Sequence, residues 1–307
     1  MELRNLITFI HVAELGSFTR AAEELDYSQS TVSFQIKQLE EELGCLLFER
    51  VNHTITLTEK GAELLEFAQR ISRMTEEFNQ SLNEGKPMEG HIRILAPSSV
   101  CEEMMLKNYM ELHKSYPGIS LKFTSADTYD MFGMLDKNEA DLMLTLDTHI
   151  YKRDYVIAKE EPVSMHFVTG RGSVYDTGRA VTLSELSEMP FLLTEKNAGY
   201  RRSLDAALAE RSLEIVPILE LERTDIITEM LSRGAGVSFL PDFVTERGVR
   251  EGQLVYLDVP EAQFDIWKQL IYHKNKWLSR TLSALIEFIK EHEFGAEGGK
   301  NNSKNKK

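Results

Sequence analysis

The sequence predicts an α/β chain in which a winged helix-turn-helix and one long helix precede a two-subdomain α/β region. Three observations predict it. Val32, Ile36, Leu39 and Leu43 recur at the spacing of one helical face. Between Leu64 and Leu82 the residues Leu64, Ala68, Ile71, Thr75, Phe78 and Leu82, apolar but for Thr75, keep alternating steps of four and three, with Phe67 and Met74 widening the stripe. From His91 onward, strand-like runs alternate with helical ones, which is the pattern of βαβ units and a mostly parallel sheet.

Taken in order, a bracing helix is predicted from Leu3 to Leu15, with Leu3, Leu6, Ile7, Ile10 and Ala13 on one face. Ser17 caps a second helix whose buried side is Phe18, Ala21, Ala22 and Leu25, the alanines allowing two axes to cross closely. Asp26 and Tyr27 leave only a tight connection to a third helix, with Ser28 as its N-cap and Gly44 as its stop. Two short helices so joined form a helix-turn-helix, whose second helix lies in the DNA major groove. On its outer face Gln29 suits bidentate contact with adenine. Ser30, Thr31 and Ser33 suit bases or phosphates, Phe34 a thymine methyl, and Lys37 a phosphate. Ile55 and Leu57 then alternate beyond a turn at residues 52–54, as in a β-hairpin wing, where Arg50 and His53 are the candidate DNA contacts.

The spaced pattern over these sixty or so residues resembles the LysR-type transcriptional regulators. It is carried by Leu6, Phe9, Val12, Gly16, Ser17, Phe18, Ala21, Ala22 and Leu25, and by Ser28, Gln29, Ser30, Val32, Ser33, Ile36, Leu39, Glu40, Leu43 and Gly44. Leu47, Phe48, Arg50, Leu57, Thr58 and Gly61 complete it. The wing departs from the pattern, since Asn52 and His53 stand where the family often carries arginines. The resemblance implies a cytoplasmic DNA-binding regulator governed by a small-molecule effector. It also implies a linker helix that pairs with its copy, giving a homodimer or a homotetramer, and an effector domain similar to periplasmic binding proteins.

On that reading residues 1–58 are the DNA-binding domain, and 59–90 the linker helix, capped by Thr58, with its hinge. Residues 91–294 are the effector domain, with subdomain I at about 91–160 and 265–294 and subdomain II at about 161–264. Residues 295–307, of charge +3, are expected to be a disordered basic tail. Strands are expected at 91–96, 119–124, 140–146, 163–168, 191–194, 216–221, 236–240 and 264–273. Helices are expected at 99–116, 127–138, 199–211, 225–233 and 277–293.

Ligands of α/β domains lie at the carboxyl ends of strands or between subdomains. Ser98 and Ser99 follow the first strand and open a helix, so their hydroxyls and free N–H groups suit a carboxylate. Thr124, Thr145 and Thr194 end later strands, and Tyr200 is placed to close the cleft. The resemblance implies effector contacts at Ser98, Ser99, Thr145 and Thr194, whereas Thr124 and Tyr200 rest on geometry alone. With few basic residues near these strand ends, a monocarboxylate or a neutral molecule is expected, unless Arg201, Arg202 or Arg223 turns inward.

Composition bounds the alternatives. The formal charge is −14 overall and −5 over residues 1–60, whereas affinity for DNA comes largely from neutralised phosphates. Each DNA-binding module is therefore expected to bind modestly and to depend on dimerisation over paired half-sites. The same acidity supports one rival reading, a ligand sensor with no DNA role. A second rival is redox sensing through Cys101, whose position one turn into a helix would lower its thiol pKa. The other cysteine, Cys45, is expected to be a small buried hydrophobe. No apolar run spans a membrane and no signal peptide is legible. The eight histidines lack metal-ligand spacing, and neither a phosphate loop nor a nucleophile elbow appears, so no cofactor or metal is expected and an enzyme is disfavoured.

Overall fold

The structure is a computed structural model and describes residues 2–51, 54–81 and 88–295. The basic tail from residue 296, the hinge at 82–87 and the wing tip with His53 lie outside them.

Helices α1 (Leu3–Leu15), α2 (Phe18–Glu24) and α3 (Gln29–Leu43) form the N-terminal core with the hairpin β1 (Phe48–Val51) and β2 (Thr54–Leu57). Their ends follow local chemistry. Ser17 accepts from the Arg20 amide, Ser28 accepts from the Thr31 amide at 3.1 Å, and Gly44 closes α3 at φ 68°, a left-handed conformation that favours glycine. Phe9, Ala21, Val32, Leu39 and Leu47 are fully buried. The buried side of α1 differs from the expected face: Leu6, Phe9, Ile10 and Val12 are buried and Leu3 is exposed, because α2, α3 and α4 together cover α1 from more than one side. Leu43 is also exposed, at the last helical position before Gly44 turns the chain away. Leu25 is only half-buried.

Helix α4 (Glu59–Ser81) begins at Thr58, whose hydroxyl accepts from the Gly61 amide at 2.9 Å. Its stripe was expected to await a second subunit. Of that stripe Ala68 is buried in the N-terminal core of the same chain beside Leu65, Leu64 and Ile71 are half-buried there, and the widening Phe67 and Met74 remain exposed.

Beyond it, β3 (Glu89–Leu95), α5 (Ser98–Ser115), β4 (Gly118–Thr124), α6 (Thr128–Asp136) and β5 (Leu142–Asp147) alternate as the sequence predicts. With β6 (Tyr155–Val163) and β12 (Ile266–His273) they build a five-stranded sheet in the order β4-β3-β5-β12-β6. Four strands run one way and β12 runs against β5 and β6. Strand β6 was not expected. Lys159, Glu160 and Glu161 break its apolar run, as befits the edge strand it is.

The chain leaves this sheet at Val163 and at Met165 starts β7 (Met165–Gly170) of a second lobe. There α7 (Leu183–Ser187), β8 (Leu192–Leu193), α8 (Gly199–Ala209), β9 (Leu219–Glu220) and α9 (Thr224–Ser232) precede β10 (Val237–Pro241), α10 (Asp242–Arg250) and β11 (Leu254–Tyr256). In the sheet β10-β7-β11 the central β7 runs antiparallel to both neighbours rather than parallel, and α10 carries the chain from β10 across it to β11; β8 and β9 are parallel. Strand β12 then re-enters the first sheet, and α11 (Arg280–His292), capped by Ser279, closes the chain.

The segment joining β12 to α11 touches the N-terminal core. Trp277 packs on that core and donates its backbone N–H to Glu14, while Gln69 donates to the Asn275 carbonyl at 2.7 Å. Beside it Lys276 lies 2.8 Å from Asp141, which also takes Arg93 through two guanidinium bonds and its amide. Burial alone would raise the Asp141 carboxyl, but Arg93 and Lys276 override it and hold it at about 2, against an ordinary 3.8. Because the folded value is depressed, this stabilisation is present above about pH 4 and is lost as pH falls through about 2. Asp141→Asn is expected to cost roughly 2 kcal/mol at neutral pH, and thermal melts should show the gap from wild type closing toward pH 2.

Candidate nucleic-acid interface and effector cleft

Helix α3 presents Ser28, Gln29, Ser30, Phe34 and Lys37 to solvent, with Thr31 and Ser33 half-buried beside them. Phe34 is 66% exposed, an unusual position for a large aromatic ring with no protein surface to cover it. The polar groups are held ready: Gln29 donates to the Ser33 hydroxyl at 2.8 Å, and Ser28 bonds both Ser30 and Thr31 at 2.8 Å. Lys37 lies 3.4 Å from Glu41, an exposed pair that a phosphate can displace. Arg50 sits on β1 opposite Ile55. The opposite face of α3 is locked to α1 by Gln35, which accepts from Thr8 at 2.7 Å inside the core. Gln35 was not singled out from sequence, although its place three residues after Val32 puts it on the buried stripe.

In the C-terminal region a cleft of about 160 Å³ opens between the lobes. Ser98, Ser99, Thr194 and Tyr200 line it, as the sequence places them, together with Ser125, Thr128, Asn197, Glu195, Glu222 and Thr224. Four helices, α5, α6, α8 and α9, begin at its wall. Asp127 caps α6, accepting from Asp130 at 2.8 Å, whereas α5, α8 and α9 have no side-chain cap. The first N–H groups of α5 and α8 thus have no side-chain acceptor, whereas those of Asp225 and Ile226 in α9 meet the Asp225 carboxylate.

Thr124 and Thr145 do not line it. Leu146 does, and alternation along β5 turns Thr145 to the other face, fully buried opposite Gln269. Thr124 ends β4 with its carbonyl held by the Ala96 amide at 3.2 Å, and Ser125 and Ala126 take its place at the rim. Burial pushes the Tyr200 phenol up to about 12, so it remains a neutral hydroxyl at physiological pH. The Thr194 hydroxyl beside it acts in the opposite direction, though without hydrogen-bond geometry.

None of the three arginines is free to serve a ligand. Arg201 is buried and donates to the Thr194 carbonyl and to Asp205, both at 2.9 Å. Arg202 reaches across to Asp147 at the end of β5, and Arg223 is shared between Asp225 and Glu102, 3.2 Å away. A further bond spans the cleft from the Ser98 hydroxyl to Glu222. These crossings were not legible in sequence, since each joins residues far apart along the chain.

Residues 3–62 match the bacterial regulatory helix-turn-helix protein, lysR family, and residues 85–293 match the LysR substrate binding domain. The chain belongs to the LysR family of transcriptional regulators. It is 30% identical over 300 residues to the regulator CfxR of Cupriavidus necator, covering 95% of this chain and 92% of that one. It is 29% identical over 300 residues to the RuBisCO operon transcriptional regulator of Allochromatium vinosum, covering 94% and 95%. Among solved structures, a full-length OxyR variant from Pseudomonas aeruginosa aligns with TM-score 0.57 at 20% identity, over 94% of this chain and 95% of that one. CrgA, a LysR-type regulator from Neisseria meningitidis, aligns with TM-score 0.55 at 22% identity over 95% and 99%. At such identities these two show the fold.

As a LysR-type regulator the protein is a DNA-binding transcriptional regulator, and modulation by an effector is the role of its family. LysR regulators bind DNA and small-molecule effectors and are oligomeric. No described helix is long and apolar enough to cross a membrane. The lowered thiol pKa expected for Cys101 is not what its environment gives. Burial and the adjacent Glu102 push its thiol up rather than down, and Cys45 packs against the separate N-terminal core.

Gly199 opens α8 where that helix meets the end of β5. A β-carbon there would lie 2.5 Å from the Leu146 carbonyl and 2.4 Å from Asp147, so no larger residue fits without moving the helix. Gly199→Ala is expected to cost about 1–3 kcal/mol and to deform the cleft wall, measurable as a lowered Tm.

Proposed function

We propose that this regulator reads promoter DNA through Ser28, Gln29, Ser30, Thr31, Ser33, Phe34 and Lys37, with Arg50 and His53 in the wing. On this reading a small carboxylate-bearing effector binds between the lobes at Ser98, Ser99, Thr194 and Tyr200. The observation that carries the proposal is the convergence of three helix N-termini without side-chain caps on one inter-lobe cleft. Residues 1–58 act as the DNA-binding unit, 59–90 as the linker and 91–294 as the effector domain, working in the cytoplasm. The exposed Phe67 and Met74 on α4 support pairing of linker helices in a homodimer, or in a homotetramer built from two such pairs.

The effector prefers one closure state of the lobes, and that difference in affinity supplies the coupling energy. Strand β12 carries it: the strand pairs with both β5 and β6, and its following segment sets Trp277 on the N-terminal core. Acidity within residues 1–60 keeps single-module affinity low, so recognition depends on two modules engaging paired half-sites.

On DNA from upstream of the protein's own gene, fluorescence anisotropy should show binding that weakens steeply with salt. Gln29→Ala should lose about 1–3 kcal/mol there and relax base preference; unchanged binding on every sequence would remove Gln29 as a base reader. Trp277→Ala should leave binding to that DNA in place but blunt its dependence on effector, and a normal response would place the coupling elsewhere.

A further inference from the structure

The charge lining the cleft is one-sided in a way that a plain carboxylate does not explain. Among the described residues no lysine, arginine or histidine lines it, while Asp127, Glu195 and Glu222 do. Asp127 is committed to capping α6. Glu222 accepts from the Ser98 hydroxyl across the cleft, and among the described residues it forms no ion pair. Arg223, next to it in sequence, is turned to Asp225 and Glu102 and acts on Glu222 only through its charge, without pairing with it. Behind the wall, burial and the Asp225 carboxylate push Glu102 up, which marks the same local excess of negative charge.

The remaining wall has the opposite need. Helices α5 and α8 begin at Ser98 and Gly199 without side-chain caps, so their first-turn N–H groups call for an acceptor. Between them Thr194, 3% exposed, lines the cleft with a hydroxyl that lies beside the Tyr200 phenol but has no partner in hydrogen-bond geometry. A buried hydroxyl left so is costly unless a ligand completes it. Donors and an incompletely satisfied hydroxyl on one side, with a carboxylate that forms no ion pair on the other, describe a molecule that carries both charges.

We propose that the cleft takes a small zwitterion of the α-amino-acid class, its carboxylate at the N-terminal turns of α5 and α8 and its ammonium at Glu222. This rests on the reading of the cleft as the effector site. The ammonium completes the second oxygen of Glu222 while Ser98 holds the first, so the ligand strengthens an existing bridge between the lobes. A simple carboxylate satisfies the helix ends but meets Glu222 and Glu195 as like charges, and a simple amine leaves the helix ends and Thr194 without an acceptor.

The test is isothermal titration calorimetry on the full-length protein with the common amino acids, each beside its des-amino acid and its decarboxylated amine. At least one amino acid should bind, with both matched analogues weaker by about tenfold or more. E222Q, at an exposed position that tolerates the change, should weaken the amino acid by a similar factor and narrow its advantage over the des-amino acid. Equal affinity for the des-amino acid, an unaffected E222Q, or no binding by any amino acid would overturn the zwitterion while leaving the cleft available to another effector. Binding that survives both S99A and T194V unchanged would mean that the ligand sits elsewhere, and the reading of the cleft itself would fall.

Discussion

The placement of β12 between β5 and β6 is the constraint on which the rest of the architecture depends. Because the second lobe is inserted between β6 and β12, both covalent links between the lobes emerge from adjacent strands of one sheet. Any opening of the cleft must therefore turn about that pair of strands, as in hinge closure. Gln269 on β12 reinforces the spot, donating to the Ile150 carbonyl and to Glu160 while accepting from the Ile150 amide. The other end of β12 leads into the segment that seats Trp277 against α1 and α4. One strand thus connects the lobe that closes with the module that carries the reading helix.

Polar groups sort themselves around this frame by what they must satisfy. Within the N-terminal core, Thr8 and Gln35 meet each other and lock α3 in orientation. Asp141 ties Arg93 to Lys276 close to the contact between the two regions. In the cleft, among the described residues, helix ends lack side-chain caps, the Thr194 hydroxyl lacks a partner in hydrogen-bond geometry and Glu222 forms no ion pair. Native proteins satisfy nearly all buried polar groups, so an inter-lobe surface that leaves several open is one shaped for a ligand.

Much of the N-terminal architecture was legible because its signals are local. Ser17, Ser28, Thr58 and Gly44 act as caps where the sequence puts them, and the Val32, Ile36, Leu39 stripe is buried. The α/β alternation was legible through β5 for the same reason. Strand β6 was hidden by its charged middle, and the short α10 and β11 were not among the expected elements. In the cleft, Ser98, Ser99, Thr194 and Tyr200 could be placed because strand ends and helix starts are written locally. Thr145 could not, since a shift of one residue along a strand exchanges faces. The Ser98–Glu222, Arg202–Asp147 and Arg223–Glu102 contacts join residues distant along the chain, and no spacing announces those.

Hydrogen exchange of the full-length protein, with and without a ligand bound in the cleft, tests the central claim most directly. The account predicts altered protection not only around residues 98–99, 194–200 and 222–224 but also along β12, through 274–277 and into α1. Altered protection confined to the cleft, in a protein whose DNA affinity still responds to that ligand, would contradict it and move the coupling off β12.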